Sequence, residues 1–207
     1  MSSPEAAVPR SLWLSTRCEM LEPVRILREE HDNILRGLYV LEACARKLDD
    51  QQDVPPETLE GLIEFFRLYA DRTHHGKEED LLFPTMIDYG FSREAGPIHC
   101  MLADHEHNRA LTRAMVAAAA EYRAGNKAAG LRFAGTASEY VRALREHIQK
   151  ENLVLFVMAD NTIPSEREPQ LLAKFQDVDA NKIGKAEIER VLRLLDSLGE
   201  QFVLTAQ

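Results

Sequence analysis

The sequence predicts an all-α fold, an up-down-up-down four-helix bundle followed by extra C-terminal helices. Apolar residues recur every three or four positions along the 207-residue chain, whereas the two-residue alternation of β-strands is almost absent. Proline and glycine fall at the breaks between these periodic segments. With 45% hydrophobic residues, the chain has enough apolar material for one sizeable core. Four long amphipathic segments joined by short connections are expected to pack antiparallel.

Proline marks the first two helices. The first should begin near Glu22 and end at Leu48, where a polar stretch follows. Pro55 and Pro56 should open the second, which continues to about Phe83. We expect Pro84 to kink or end it, because proline lacks the N–H that a helix interior requires.

The third and fourth helices complete the predicted bundle. The third should begin near Pro97 and stop at Gly125, a suitable C-terminal cap. The fourth should run from about Lys127 to Met158. Together the four helices define a predicted bundle domain over residues 21–160.

Two segments flank this domain. Residues 1–20 form a predicted N-terminal extension, and residues 161–207 form a C-terminal helical extension. The latter contains a short helix from about Glu166 to Gln176 and an amphipathic helix from Lys185 to about Phe202. These helices could pack on the bundle, on a second copy of the chain or on another protein, and the sequence does not distinguish these partners.

Charge and cysteine usage exclude several classes of protein. Twenty-five Lys and Arg against 34 Asp and Glu leave a net charge of -9, which disfavours nucleic acid and anionic membranes as partners. We find no basic, apolar leader and no run of 18 apolar residues. Cys18, Cys44 and Cys100 are odd in number and widely spaced, which argues against a disulfide framework. A cytoplasmic location is therefore expected.

Histidines and glutamates occupy positions within the apolar stripes. On the fourth helix, His147 and Glu151 lie four residues apart, so one helical turn separates them and they could bind one cation. The predicted inward stripe of that helix contains Ala137, Tyr140, Leu144, His147, Glu151, Val154 and Met158. On the second helix, His74 and Glu78 have the same spacing. The first and third helices add His31 and His105 to their own stripes.

These residues repeat along the chain. The pattern His-x3-Glu-x3-Leu-Phe occurs at 74–83 and again at 147–156. His31 precedes His74 by 43 residues, and His105 precedes His147 by 42. Both upstream histidines directly follow an acidic residue: Glu30 precedes His31, and Asp104 precedes His105. Duplication of a helix pair accounts for all of these coincidences.

The repeat also ranks neighbouring candidates. His75 and Glu79 have the same spacing as His74 and Glu78, but only the latter pair reproduces the distance to Phe83. We therefore interpret His75 and Glu79 as a solvated pair, or one that supports the ligands. Tyr69 and Tyr140 are interpreted as core residues with a hydroxyl near the site. Asp177, Asp179 and Asn181 imitate the start of a calcium loop, but the required glycine and terminal glutamate are missing, so we expect a loop and helix cap.

Four histidines and two glutamates are too many donors for one tetrahedral zinc ion and suit two metal ions. Iron, manganese and zinc all accept nitrogen and oxygen donors of this kind. Burying these groups without partners would cost several kcal/mol or shift their pKa values until they became neutral. The sequence therefore predicts a two-metal centre between the helices.

Four segments resemble the hemerythrin-like HHE cation-binding proteins: REEHDNIL, HHGKEEDLLFP, GPIHCMLADHEHN and EHIQKENLVLF. The resemblance covers roughly residues 21–160. It implies a four-helix bundle that holds a non-heme di-iron centre, two Fe ions with an oxo or carboxylate bridge. It further implies that the iron ligands are His31, His74, Glu78, His105, His147 and Glu151, with the glutamates as candidate bridges.

Two departures from the oxygen-carrying members of that family matter. Those proteins place a second histidine four residues after the third-helix histidine, where this chain has Arg109. They also end with an aspartate five residues after the last-helix histidine, whereas here Glu151 follows His147 at four. A fifth histidine ligand is unaccounted for, and reversible oxygen carriage is disfavoured.

The function expected from these features is a non-heme di-iron protein that binds or reduces a small molecule such as oxygen, hydrogen peroxide or NO. The alternative is an iron or oxygen sensor or storage module without turnover. A purely structural bundle is the third hypothesis. The sequence leaves open whether the protein is an enzyme, and turnover of peroxide or NO would separate the first two functions.

Overall fold

A computed structural model describes residues 20–203 of the chain, and all of its regular structure in that range is helical. The helices are α1 (Glu22–Asp49); α2 (Pro56–Phe65, Phe66–His75, Glu78–Leu82 and Phe83–Asp88); α3 (Gly96–Arg123); α4 (Lys127–Lys150, Glu151–Leu155 and Phe156–Thr162); α5 (Glu168–Asp177, continued by Val178–Ile183); and α6 (Lys185–Val203). No described helix has the length and the apolar run that are needed to cross a membrane. Apart from Met20, the predicted N-terminal extension lies outside the described residues.

The first four helices form the predicted bundle. Helix α1 packs against α2 and α4, and α3 packs against the same two neighbours, which closes a ring of four. Short connections join consecutive helices, so neighbours run antiparallel. Between α3 and α4 the chain turns at Gly125, whose φ of 96° is a left-handed conformation that glycine adopts without strain. The all-α bundle is thus confirmed.

Helices α2 and α4 are not uniformly α-helical. Segments Phe66–His75 and Glu78–Leu82 of α2, and Glu151–Leu155 of α4, form wider turns with π-helical hydrogen bonding. Such turns are rare and occur frequently at functional sites. In this protein, they carry three of the six predicted ligands, His74, Glu78 and Glu151.

The wide turns explain two differences from the predicted helices. Helix α2 does not end at Pro84 but continues to Asp88, because Pro84 lies in the first turn of the segment that follows Leu82. In α4, Val154 and Met158 are exposed instead of buried, so their predicted inward placement is wrong. The extra residue in the wide turn rotates the helix and buries the residues Leu155, Phe156 and Ala159.

The bundle core consists of two apolar clusters with a polar layer between them. Along α1, Leu27 belongs to the smaller cluster and Ile34 to the larger one, with His31 between them. Along α3, Met101 and Leu111 flank the layer in the same way. The polar layer is where the predicted ligands lie.

The C-terminal helices pack on the bundle. Helix α6 contacts α1 and α2 and buries Val191, Leu195 and Leu198 in the larger cluster. Helix α5 contacts α1 and buries Leu171 and Phe175 in the smaller cluster. The C-terminal extension therefore covers one face of α1 and α2. Its assignment as a separate domain stays a prediction.

Candidate metal centre

The six predicted ligands meet in the polar layer. Each is at most 1% exposed. They come from all four bundle helices: His31 from α1, His74 and Glu78 from α2, His105 from α3, and His147 and Glu151 from α4. The arrangement places donors from distant parts of the chain around one point in the core.

The donors form two groups that share one residue. Within each group, one ligand atom per residue lies within 4.8 Å of all the others. The first donor group is His31, His74, Glu78 and Glu151, and the second donor group is His75, His105, His147 and Glu78. Because Glu78 belongs to both, the two groups are adjacent, as expected for two metal ions with a shared carboxylate.

The glutamates lie between the groups. Glu151 Oε2 is 3.1 Å from Nε2 of His31, and its other oxygen is 3.1 Å from Nε2 of His147. Glu78 likewise directs one oxygen to each group, at 3.7 Å and 3.5 Å from the Nε2 atoms of His74 and His105. Each carboxylate therefore faces imidazoles of both groups.

The structure corrects the interpretation of His75 as a solvated residue. Its side chain is 2% exposed and its ring stacks on that of His105 at 3.9 Å between centroids. Segment Phe66–His75 winds less per residue than an α-helix, so the adjacent His74 and His75 both face the centre. Burial and the neighbouring His105 lower the pKa of His75 to about 3, which keeps the imidazole neutral. It offers the fifth imidazole that the sequence did not account for.

Each imidazole is oriented through its outer ring nitrogen, Nδ1. The oxygen that faces Nδ1 comes from Asn152 for His31 (3.1 Å), Glu30 for His74 (3.0 Å), Asp71 for His75 (3.5 Å), Glu79 for His105 (2.6 Å) and Asp104 for His147 (3.4 Å). An Nδ1–H donated outward leaves the Nε2 lone pair directed inward. Carboxylates that hold the outer nitrogen in this way are typical of metal-binding histidines.

The repeat extends to these supporting residues. Glu30 and Asp104, the acids that precede the upstream histidines, hold His74 and His147 of their own halves. The residue that follows each candidate glutamate ligand instead contacts a histidine of the other half. Glu79, which follows Glu78, contacts His105. Its counterpart Asn152 holds His31. The acids before the histidines were visible in the sequence, but only the fold shows which ring each one contacts.

A lysine pairs with each of the two repeated acids. Lys77 contacts Glu30, and Lys150 contacts Asp104. Both belong to the pattern His-x2-Lys-Glu, which occurs at 74–78 and 147–151 and could have pointed to them. Lys77 is fully buried and also contacts Asp179 of the C-terminal extension at 2.7 Å, whereas Lys150 is 49% exposed. Asp179 thus binds a lysine within the helical continuation of α5, rather than lying in a loop as predicted.

The tyrosines lie in the larger apolar cluster. The Tyr69 hydroxyl accepts a hydrogen bond of 2.9 Å from Asn33, and the Tyr140 ring packs edge-on against Phe66. Both are core residues, as the sequence indicated.

Charge in the centre is unevenly distributed. Burial, followed by the neighbouring Glu151, raises the pKa of Glu78 well above its usual range. Burial alone would also raise the pKa of Glu151, but His147 lowers it well below that range. Burial would lower the pKa of His147, yet Glu151 and Asp104 raise it to about 9. The pKa values of the two glutamates shift in opposite directions because two adjacent buried carboxylates resist joint ionisation.

The donor atoms themselves fit a pair of divalent ions. Among the described residues, several buried atoms that face the centre have no hydrogen-bond partner: Nε2 of His31, His74 and His75, and both oxygens of Glu78 and Glu151. Leaving polar atoms unpaired in a core costs about 1–3 kcal/mol each. Two cations would satisfy these atoms and neutralise both carboxylates, so the residues present are suited to holding metal.

Comparison with known proteins gives the same assignment. The family model described as the hemerythrin HHE cation-binding domain matches residues 22–159. Uncharacterized proteins from Mycobacterium bovis and from two strains of Mycobacterium tuberculosis are 22% identical over 166 residues, 80% of this chain and 64% of each relative. The chain thus spans somewhat less than two thirds of the relatives' length. No solved structure matches. With the buried His and Glu donors in place, the chain belongs to the hemerythrin HHE cation-binding domain family.

Proposed function

We propose that the protein is a non-heme di-iron protein that binds or reduces a small molecule such as oxygen, hydrogen peroxide or NO. The observation that carries the proposal is the pair of donor groups joined at Glu78. His31 and His74 would hold one iron, and His75, His105 and His147 the other. Glu78 and Glu151 would bridge them. The nitrogen and oxygen donors suit iron, and the free thiols of Cys44 and Cys100 fit the reducing cytoplasm in which we place the protein.

The chain's own residues prepare the centre for this chemistry. A bound iron pair would supply electrons for reduction and an exchangeable position for the ligand. Hydrogen bonds at Nδ1 hold four of the imidazoles in the tautomer that ligation needs, and Asp71 faces Nδ1 of the fifth, His75, at 3.5 Å. The two apolar clusters on either side exclude bulk water. The first donor group would offer two imidazoles to its ion, and the second would offer three.

A second function, an iron or oxygen sensor or store without turnover, is favoured by one connection. Lys77 contacts Glu30, which holds His74, and it also contacts Asp179 in the C-terminal extension. Metal occupancy could therefore alter how the extension packs and how it meets a second copy or another protein.

Metal content and turnover test both functions. The protein is purified anaerobically from iron-supplemented cells, its metal is counted, and the visible spectrum is recorded before and after air is admitted. About two irons per chain, new absorption bands in air and turnover of peroxide or NO support the first function. Two irons without turnover support the second.

Two variants make the assignment specific. His147→Ala should lose iron, whereas His107→Ala, which changes a 49% exposed histidine, should retain it. Zinc alone, absence of metal with an unchanged fold, or His147→Ala that binds iron normally would contradict the di-iron centre.

A further inference from the structure

Arg109 lies at the edge of the second donor group and connects several acids. Its Nε donates to Asp71 Oδ1 at 2.7 Å, and its Nη2 donates to Glu79 Oε1 at 2.6 Å. The remaining Nη1 donates to Glu106 at 2.8 Å. The side chain is 25% exposed, so these contacts are only partly screened by solvent.

The two oxygens nearest the guanidinium are the same atoms that face the outer nitrogens of two candidate ligands. Asp71 Oδ1 is 3.5 Å from Nδ1 of His75, and Glu79 Oε1 is 2.6 Å from Nδ1 of His105. The two imidazoles stack with an interplanar angle of 17°. One cation therefore contacts both carboxylates that orient this stacked pair.

We infer that Arg109 is a positioning residue that orients His75 and His105 together through Asp71 and Glu79. The inference rests on the proposed two-metal centre and deepens it. A guanidinium is rigid and planar, so its Nε and Nη2 atoms keep a fixed separation. They therefore set the relative placement of the two carboxylates that they contact. The orientation of both Nε2 atoms in the second donor group then depends on one side chain.

The other imidazoles are held without Arg109. Lys77 and Lys150 support the acids of His74 and His147, and His31 is held by the uncharged Asn152. An ammonium group is a point charge on a flexible stem and lacks the rigid fork with which a guanidinium sets the relative placement of two carboxylates. Loss of Arg109 should consequently weaken the second metal and leave the first in place.

Stepwise metal titration tests this asymmetry. Metal-free wild type, Arg109→Lys and Arg109→Gln are titrated anaerobically with Fe(II), and in parallel with Co(II), whose visible bands report its ligands. Arg145→Lys is the matched control, because Arg145 pairs with Glu42 at 2.9 Å across α4 and α1, outside the donor groups. We expect wild type and the control to bind two ions.

Both Arg109 variants should bind one ion with wild-type affinity and the second about 10–100-fold more weakly, the range found when residues supporting a ligand are lost. The band of the second cobalt equivalent should shift while that of the first does not. Asp71→Asn combined with Arg109→Lys should cost less than the sum of the single changes, because both act on His75.

Three results would overturn the inference. They are unchanged affinity for both ions in Arg109→Lys, equal weakening of both ions, and an unshifted second cobalt band. If Arg109→Gln does not fold, Arg109→Lys decides, since it keeps the charge. A wild type that binds fewer than two ions would instead refute the proposed function, so the two failures are distinguishable.

Discussion

The two halves of the bundle, residues 22–88 and 96–162, carry the same donor pattern in different surroundings. In each half an acid contacts the downstream imidazole and a lysine contacts the acid. In the first half the lysine is Lys77, buried beneath the C-terminal extension, while in the second it is the half-exposed Lys150. The two halves thus share the positions of the donors but differ in what packs outside them.

The halves also differ next to the donors. His75 in the first half corresponds to Ile148 in the second, and Glu79 corresponds to Asn152. Both pairs of counterparts are one residue past a repeated ligand. As a result, the first donor group has two imidazoles and the second has three. A nearly symmetric fold therefore forms two unequal donor groups.

Removing the residue shared by both groups should have the largest effect. Glu78→Ala deletes a donor from each group, so we expect both metals to bind more than 100-fold more weakly, which is beyond the effect of losing a supporting residue. Metal counting after dialysis against a fixed Fe(II) concentration measures this. His75→Ala is the matched variant and should keep the first metal. Equal metal loss in the two variants would contradict the division into groups.

Breaking the contacts of the buried Lys77 should have the second-largest effect. Lys77→Met leaves Glu30 and Asp179 without their cation, and we expect the free energy of unfolding of the metal-free protein to fall by about 3 kcal/mol. This value is the lower end of the loss in stability expected when a buried ion pair is broken, because Asp179 is 29% exposed. Lys150→Met should cost less than about 1 kcal/mol, since Lys150 is 49% exposed. Urea unfolding of both variants measures the difference, and equal losses would refute it.

Removing the metal should lower the free energy of unfolding of the bundle about as much as Lys77→Met does. At a free metal concentration 100 times the Kd, binding at one site stabilises the folded state by about 2.7 kcal/mol. For a chain of this size, about 2–4 °C of Tm accompanies each kcal/mol, so chelation should lower Tm by about 5–10 °C per site. Calorimetry before and after chelation measures it. A Tm independent of metal would show that the centre is not coupled to folding.

Exchanging the supporting groups should have the smallest effect. Glu79→Gln replaces the carboxylate that holds His105 with an amide, so the second metal should bind roughly tenfold more weakly. Asn152→Asp makes the reverse change at His31, and the first metal should bind several-fold more tightly, within about tenfold. Competition with a chelator of known affinity resolves both changes. If both variants change the affinity of the same metal, the assignment of Glu79 to the second donor group and of Asn152 to the first is wrong.

Much of the fold and the centre was predictable from the sequence. The apolar period of three to four residues predicted the bundle, and the repeat predicted the six residues that meet in the polar layer. His75, by contrast, joins that layer because of a wide helical turn, which apolar periodicity does not reveal. The same kind of turn in α4 reversed the expected burial of Val154 and Met158.

The role of the C-terminal extension was not predictable for a different reason. The amphipathic pattern of α6 required a covered face but did not specify its partner. Only the packed structure shows Asp179 in contact with Lys77, which lies more than 100 residues earlier in the chain. Contacts between such distant polar residues leave no periodic signal in a single sequence.

The polar layer also has a consequence for how the bundle unfolds. It separates two apolar clusters that share the four helices but are not continuous with one another. Without metal, the clusters are linked through the helical backbone and through the ion pairs and ring stacking of the layer. Ions that join donors from all four helices would tie the clusters into one cooperative unit. We therefore expect backbone amides at the two ends to exchange hydrogen at separate rates in the metal-free protein and at a common, slower rate in the loaded one.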